Sequence, residues 1–362
     1  MSMQTDPDDY NAIHPQSLPY LEFSALQGRP IPIHTFHNGD KWNLWVPMVN
    51  GLLQPLRIAD AVETVYLAKK PAHVHDTHFY FLDFIHKHIA VKRADSFVSA
   101  LTSDIFNLGA SLRKLDLLRV DDTCEGKHRL VSTELEYLLI LCRSMFDLLQ
   151  EVAVRIWDTI QLTDTSVAKQ KLPGSFRKVV LNNEVIRSSQ EIQKRFGLTP
   201  CLATWYSECA PFFCNLRSAR DAIAHQPVHE PTIYVDDRGF SIGVESSPKP
   251  FQNILKWPEE ILVQNKTGPL NYFIAHFINE TLLACEKFAV AINQEIKVAP
   301  SFAPEHFFFM RSPNMASLQG IRRILKTDPW AKFTVSEQYL LRQLKADGIE
   351  HFGSLDGEWS SV

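Results

Sequence analysis

Four side chains near the middle of the chain have the types and spacing to act together on a phosphate. In the run Phe212 to His225, FFCNLRSARDAIAH, Arg217, Asp221 and His225 follow one another at i, i+4 and i+8. On a helix they lie along one slowly drifting line, and Arg220, three residues after Arg217, joins the same side. A helix fits the run, because Phe213, Leu216, Ala219 or Arg220 and Ile223 recur at the three-to-four spacing of a buried stripe. Pro227 forbids a further regular turn, which puts His225 at or just past the helix C-terminus. An imidazole with an unperturbed pKa of about 6.5 can carry a proton near neutral pH. Guanidiniums stay charged and grip two phosphate oxygens at once. The competing reading is an ordinary amphipathic helix whose Arg217–Asp221 surface pair contributes roughly 0.3–0.5 kcal/mol.

A second group of cations precedes this helix. KQKLPGSFRKVVLNNEVIR carries Lys169, Lys171, Arg177, Lys178 and Arg187 against one acid, Glu184. Lys171, Arg177 and Lys178 suit phosphate-backbone contacts, and a solvated helix face explains the same residues equally well. A third cluster, His73, His75 and His78, offers three imidazoles but no Cys partner and no H-E-x-x-H helix. No metal site and no cofactor are therefore expected. Neither G-x-G-x-x-G nor G-x-x-x-x-G-K-[ST] occurs.

These residues need elements to position them. Residues 133–160 predict the clearest helix, with Leu138, Leu141, Met145, Leu148, Leu149, Val152 and Ile156 as its apolar stripe. A polar line of Glu136, Arg143, Asp147 and Gln150 runs along it. Further helices are predicted over 175–196 with Gly197 as the stop, over 201–225, and from Leu270 to Ile296 after Gly268-Pro269. Thr232 to Val235 and Phe240 to Val244 read as a hairpin. Upstream, Asn38-Gly39 between PIPIHTF and KWNLWVPMV signals another. Pro55 opens a predicted helix over Leu56 to Ala68 with Ile58, Val62, Val65 and Tyr66 on one side, and Ala94 to Leu118 predicts one more.

Arg220-Asp-Ala-Ile-Ala-His225, on an apolar helix that stops after the His, resembles the R-x-x-x-x-H signature of the HEPN superfamily. The predicted helices 133–160, 175–196, 201–225 and 269–297 match the count and order of that family's bundle, and the resemblance covers roughly residues 130–298. It implies a mainly α fold: a HEPN-like antiparallel four-helix bundle with a β-hairpin insertion, beside an N-terminal mixed α/β region. It also implies metal-independent endoribonuclease activity, in which the ribose 2′-hydroxyl attacks the adjacent phosphate. His225 would carry the proton, Arg220 would stabilise developing charge, Asp221 would orient His225 and Arg217 would add charge. Arg143 and Asp147 would face the cleft, since the family's long first helix carries polar residues there. Residues five apart on a helix point about 140° apart, so Arg220 and His225 meet through the long Arg side chain, through a loosened helix end, or across a homodimer cleft. Pro227 stands where one toxin branch of the family carries Tyr, so that branch is not implied. The family also includes catalytically inactive members that bind RNA, nucleotide or protein, the alternative function expected here.

Composition bounds these expectations. The chain has 362 residues, 45% hydrophobic and 22% charged, with net charge −4, so no global field draws it to nucleic acid. RNA is the expected partner through a local patch, with no DNA and no membrane partner. The six cysteines form no C-x-x-C pair and read as reduced thiols in a cytoplasmic protein. The expected organisation is a flexible tail over 1–18, the mixed region over 19–130, the bundle over 131–298 with its insertion near 230–260, and a C-terminal appendage over 299–362.

Overall fold

The Asn38-Gly39 signal acts as its chemistry demands. Asn38 Oδ1 accepts from the amides of Asp40 and Lys41 at 3.0 and 2.9 Å, and Gly39 takes a φ of 104°. The turn joins β1 (Thr35–His37) to β2 (Trp42–Pro47) in an antiparallel pair. The computed structural model describes residues 11–29, 35–89, 94–162, 169–225, 231–263 and 266–346. Next come β3 (Leu53–Arg57), β4 (Thr64–Ala68), β5 (Thr77–His78) and α1 (Tyr80–Phe84), which runs into a π-helical turn at Ile85–Ile89. They are followed by α2 (Asp95–Val120), α3 (Lys127–Thr159), α4 (Phe176–Val180), β6 (Leu181–Asn182) and β7 (Val185–Ile186). Then come α5 (Ser189–Phe196), α6 (Pro200–His225), β8 (Ile233–Asp236), β9 (Gly239–Gly243) and α7 (Lys249–Gln252). The last described elements are β10 (Thr267–Pro269), α8 (Leu270–Glu295), β11 (Phe307–Arg311), α9 (Met315–Gln319), α10 (Ile321–Lys326) and α11 (Glu337–Ala346).

The chain divides into two units. The first comprises Met1–Lys92, Lys297–Met315 and Glu337–Val362; the second comprises Arg93–Ile296 and Ala316–Ser336. In the first, six strands form one mixed sheet in the order β3-β2-β1-β4-β11-β5. β1 runs parallel to β4, and every other pairing is antiparallel. Both faces of the sheet are covered, as a mixed sheet's central strands require. Leu67 and Phe308 pack on one side with Tyr20, Phe36, Trp45, Leu53 and Phe302. Their neighbours Tyr66 and Phe309 pack on the other with Trp42, Ala61 and Ala68.

This sheet overturns two expectations. No helix spans Leu56 to Ala68: β3 and β4 occupy it. A short apolar run fits helix and buried strand alike, and here the β-forming Thr64-Val65-Tyr66 settle as a central strand. Pro55 is accommodated because it shares the outer side of β3 with Leu53, whose amide donates outward to Ile13 O at 2.8 Å; no ladder bond to β2 is lost. Residues 299–362, expected as an appendage, supply β11, which lies between β4 and β5 in the sheet. Of the flexible tail expected over 1–18, the described part is anchored by the Ile13–Leu53 bridge and by Leu18, which is buried.

In the second unit the loop 121–126 returns the chain from α2 to α3, and the long helices α3, α6 and α8 pack on one another. β8, β9 and β10 form a three-stranded antiparallel sheet, so the expected hairpin is present with a third strand added. Asp116 on α2 accepts from the amides of Phe333 and Thr334 at 2.9 and 2.6 Å, tying residues 316–336 to this unit.

The expected mainly α, HEPN-like four-helix bundle is not the architecture. The protein is α/β, with a six-stranded mixed sheet and two small sheets. The predicted helix over 175–196 is three elements: α4, the β6–β7 hairpin and α5. Asn183 and Glu184 take φ of 48° and 66°, a two-residue left-handed turn that no helix contains. Ser188 caps α5 in a reciprocal capping box with Glu191, whereas Ser175 at the start of α4 makes no side-chain cap bond. Gly197, with φ of 69°, ends α5 as expected. Among the described residues, no helix is long and apolar enough to cross a membrane.

Candidate functional site

α6 is fixed to its neighbours before it presents any charge. The Cys201 amide donates to Glu295 Oε1 on α8 at 2.9 Å, and Trp205 Nε1 donates to Ala284 O at 2.9 Å. Deeper, the Tyr206 hydroxyl donates to Gln150 Oε1 at 2.8 Å, and Gln150 Nε2 donates to Pro173 O at 2.8 Å. This buried polar chain links α6, α3 and the segment entering α4, with each polar group satisfied. Phe213 is fully buried, with its ring centroid 5.5 Å from that of Phe146 and 4.7 Å from that of Phe176.

One turn beyond Phe213 the helix carries its charged line. Arg217 Nε lies 3.3 Å from Asp221 Oδ2, and Arg220 Nη1 donates to Asp221 Oδ1 at 2.8 Å. Arg217 Nη1 lies 3.4 Å from Glu184 Oε2, and Arg177 Nη2 pairs with Glu184 Oε1. Arg177, Glu184, Arg217, Asp221 and Arg220 therefore form a continuous ladder of alternating sign. Three guanidiniums face two carboxylates, which leaves one positive charge in excess. All five side chains are between 27% and 60% exposed.

The other nominated residues are placed as follows. Arg143 pairs with Asp147 one turn away on α3, and its guanidinium carbon lies 4.6 Å from the Phe213 ring centroid. It thus sits on the aromatic base of the same helix. Lys171 and Lys178 are exposed. His225 is the last residue of α6, as its spacing from Pro227 predicts; its side chain lies outside the described residues. Cys214 is close to Arg217 and Arg177: burial pushes its thiol up while the two cations pull it down. The upward balance keeps it a thiol rather than a thiolate nucleophile.

Glu184, by sequence the lone acid of a basic run, joins two of these guanidiniums. The available signal was Asn-Asn-Glu between Val-Val-Leu and Val-Ile, a turn between two strand-like pieces. Gln150 belongs to the polar line of α3 by its spacing, yet it is 0% exposed.

Among the described residues no group of three or more His, Cys, Asp or Glu could hold a metal ion. The His73 amide donates to Asp76, and His78 Nδ1 bonds Phe308 O at 3.0 Å, so the His78 ring ties β5 to β11. A separate open groove of about 680 Å³ lies over β8 to β10, lined by Tyr234, Asp236, Arg238, Ser241, Ser246 and Thr267 among others. None of the nominated residues lines it. Compared with protein-family models, curated proteins and solved structures, the chain matches none.

Proposed function

We propose that the Arg177–Arg217–Arg220 face binds RNA through its phosphate backbone. The supporting observation is the convergence of three half-exposed guanidiniums from α4 and α6 into one ladder with a positive charge in excess. Lys178 stands beside Arg177, and Lys171 lies six residues before it. Guanidiniums suit this ligand because each can meet two phosphate oxygens in one plane. Both oxygens of Asp221 are engaged, one by Arg217 and one by Arg220, so this carboxylate holds the two guanidiniums of the face together.

Labelled single-stranded RNA and fluorescence anisotropy test this reading. Arg217→Ala is expected to weaken binding alike for all sequences and to lower the slope of log affinity against log salt by about one contact. Unchanged affinity in an Arg177→Ala, Arg217→Ala, Arg220→Ala triple variant overturns it.

A second reading is favoured by the place of His225 at the end of α6, five residues after Arg220. It is HEPN-type, metal-independent cleavage by 2′-hydroxyl attack at a homodimer cleft, with His225 as proton carrier and Arg220 as the cation. His225→Ala would then retain binding and lose about 10²–10⁴-fold in cleavage, with chelator making no difference. Equal cleavage by both proteins removes His225 from the reaction.

A further inference from the structure

We propose that Glu184 is a resident anion, seated where a ligand phosphate goes between Arg177 and Arg217, so that binding proceeds by displacing it. This rests on the phosphate-binding reading above and says how that face is held in check. Four observations carry it.

The two carboxylate oxygens take two different guanidiniums, one from α4 and one from α6. Two oxygens of a phosphate would engage the same pair in the same way. The carboxylate is also carried on an unfavourable backbone. Glu184 has φ of 66° in a two-residue hairpin turn, a position where Gly closes the turn without steric cost and a Glu does not. Glycine would serve the turn alone; glutamate serves it and fills the seat.

The hairpin is rigid behind its tip. Arg187 is buried and donates to Lys178 O at 3.0 Å and Val179 O at 2.8 Å, and its amide donates to Val180 O at 2.8 Å. The side chain at the tip, not the hairpin, is therefore the part that yields. Finally, the Glu184 side chain is 60% exposed, so a competing anion can reach it and the pairs it makes are weak ones. The latched face carries one excess positive charge; with Glu184 swung away it carries two over the ladder that remains.

The competing account makes Glu184 a staple that fastens the hairpin to α6. Wild type, Glu184→Gly and Glu184→Gln separate the two, with short single-stranded RNA and inorganic pyrophosphate as probes and thermal melting alongside. Glu184→Gly relieves the left-handed backbone and so folds without strain at the turn. Displacement gives both variants about three- to tenfold tighter binding, the worth of two exposed ion pairs, with Glu184→Gly melting no lower than wild type. Tightening for RNA alone assigns the seat to a polymer backbone, and tightening for both probes assigns it to phosphate as such; either supports the latch. Wild-type RNA binding with unchanged or weaker binding by the variants overturns the latch and leaves the phosphate face standing. No binding of either probe by any of the three proteins overturns both.

Discussion

His86 shows how a single half-buried ring contributes to the pH response of the first unit. It is partly buried, with its ring centroid 4.7 Å from that of Phe308 on β11, and burial pushes its pKa down to about 4 while Asp83 pulls the other way. In the unfolded chain the ring titrates at about 6.5. Between these values the unfolded state holds more protons, so the stability from the neutral ring is present above pH 6.5 and is lost as pH falls toward 4. The full loss is up to about 3 kcal/mol. Urea unfolding of the first unit between pH 7 and 4, wild type beside His86→Phe, is expected to give a shallower pH slope in the variant. Equal slopes would remove His86 from the acid response. At this same scale the charged line on α6 was legible, because i, i+4 neighbours meet whatever the rest of the chain does. Gln150 was not, because steps of seven residues drift about 20° around a helix. The line that is half-exposed at Glu136 has turned under Tyr206 by Gln150.

Elements joined by short turns were read correctly where one signal dominated: Asn38-Gly39, Gly197, and Gly268-Pro269 before α8. The stretches 56–68 and 175–196 failed for one physical reason. Each holds apolar residues at spacings that a helix satisfies, while the choice of strand comes from distant partners in 56–68 and from a local left-handed turn in 175–196. β4 is a strand because β1 and β11 flank it, and β6–β7 is a hairpin because Asn183 and Glu184 take left-handed backbone, at a steric cost for Glu184. Glycine placement yields a sharper test at this scale. Gly320 lies between α9 and α10, and a Cβ there would meet the Phe333 carbonyl oxygen at 1.7 Å and its carbon at 2.6 Å. The obstacle is backbone held by the Phe333 amide's bond to Asp116, so it cannot swing aside. Gly320→Ala is expected to destabilise the protein by about 3 kcal/mol or more, at the upper end of overpacking costs. A melting temperature within a degree of wild type would show that residues 331–335 move freely.

At the scale of the whole molecule, the first unit is assembled from distant parts of the chain. β11 pairs with β4 along Phe307–Arg311 and with β5 at Phe309 and Met310. Its aromatic residues also serve both packed faces of the sheet, Phe308 on one and Phe309 on the other. A chain ending at Ile296 is therefore expected to lose slow hydrogen exchange at the β4 amides, while the full chain keeps it. Protection of β4 in the shortened chain would mean that β1 to β4 stand without their last neighbour. None of this was legible in Phe-Phe-Phe-Met-Arg alone, since an apolar pentapeptide carries no address for the strand it joins.

Strand order and chain order disagree, and synthesis must proceed in chain order. A ribosome working at roughly 5–20 residues per second takes tens of seconds to travel from β5 to β11. Throughout that interval one edge of β4 stands open and β5 has no strand to pair with, while α2 to α8 are already leaving the exit tunnel. The nascent chain thus carries an unfilled slot in its earliest sheet, of the kind that recruits a stray strand from a neighbouring molecule. That slot closes only when residue 311 has emerged and β11 can pair with β4 and β5.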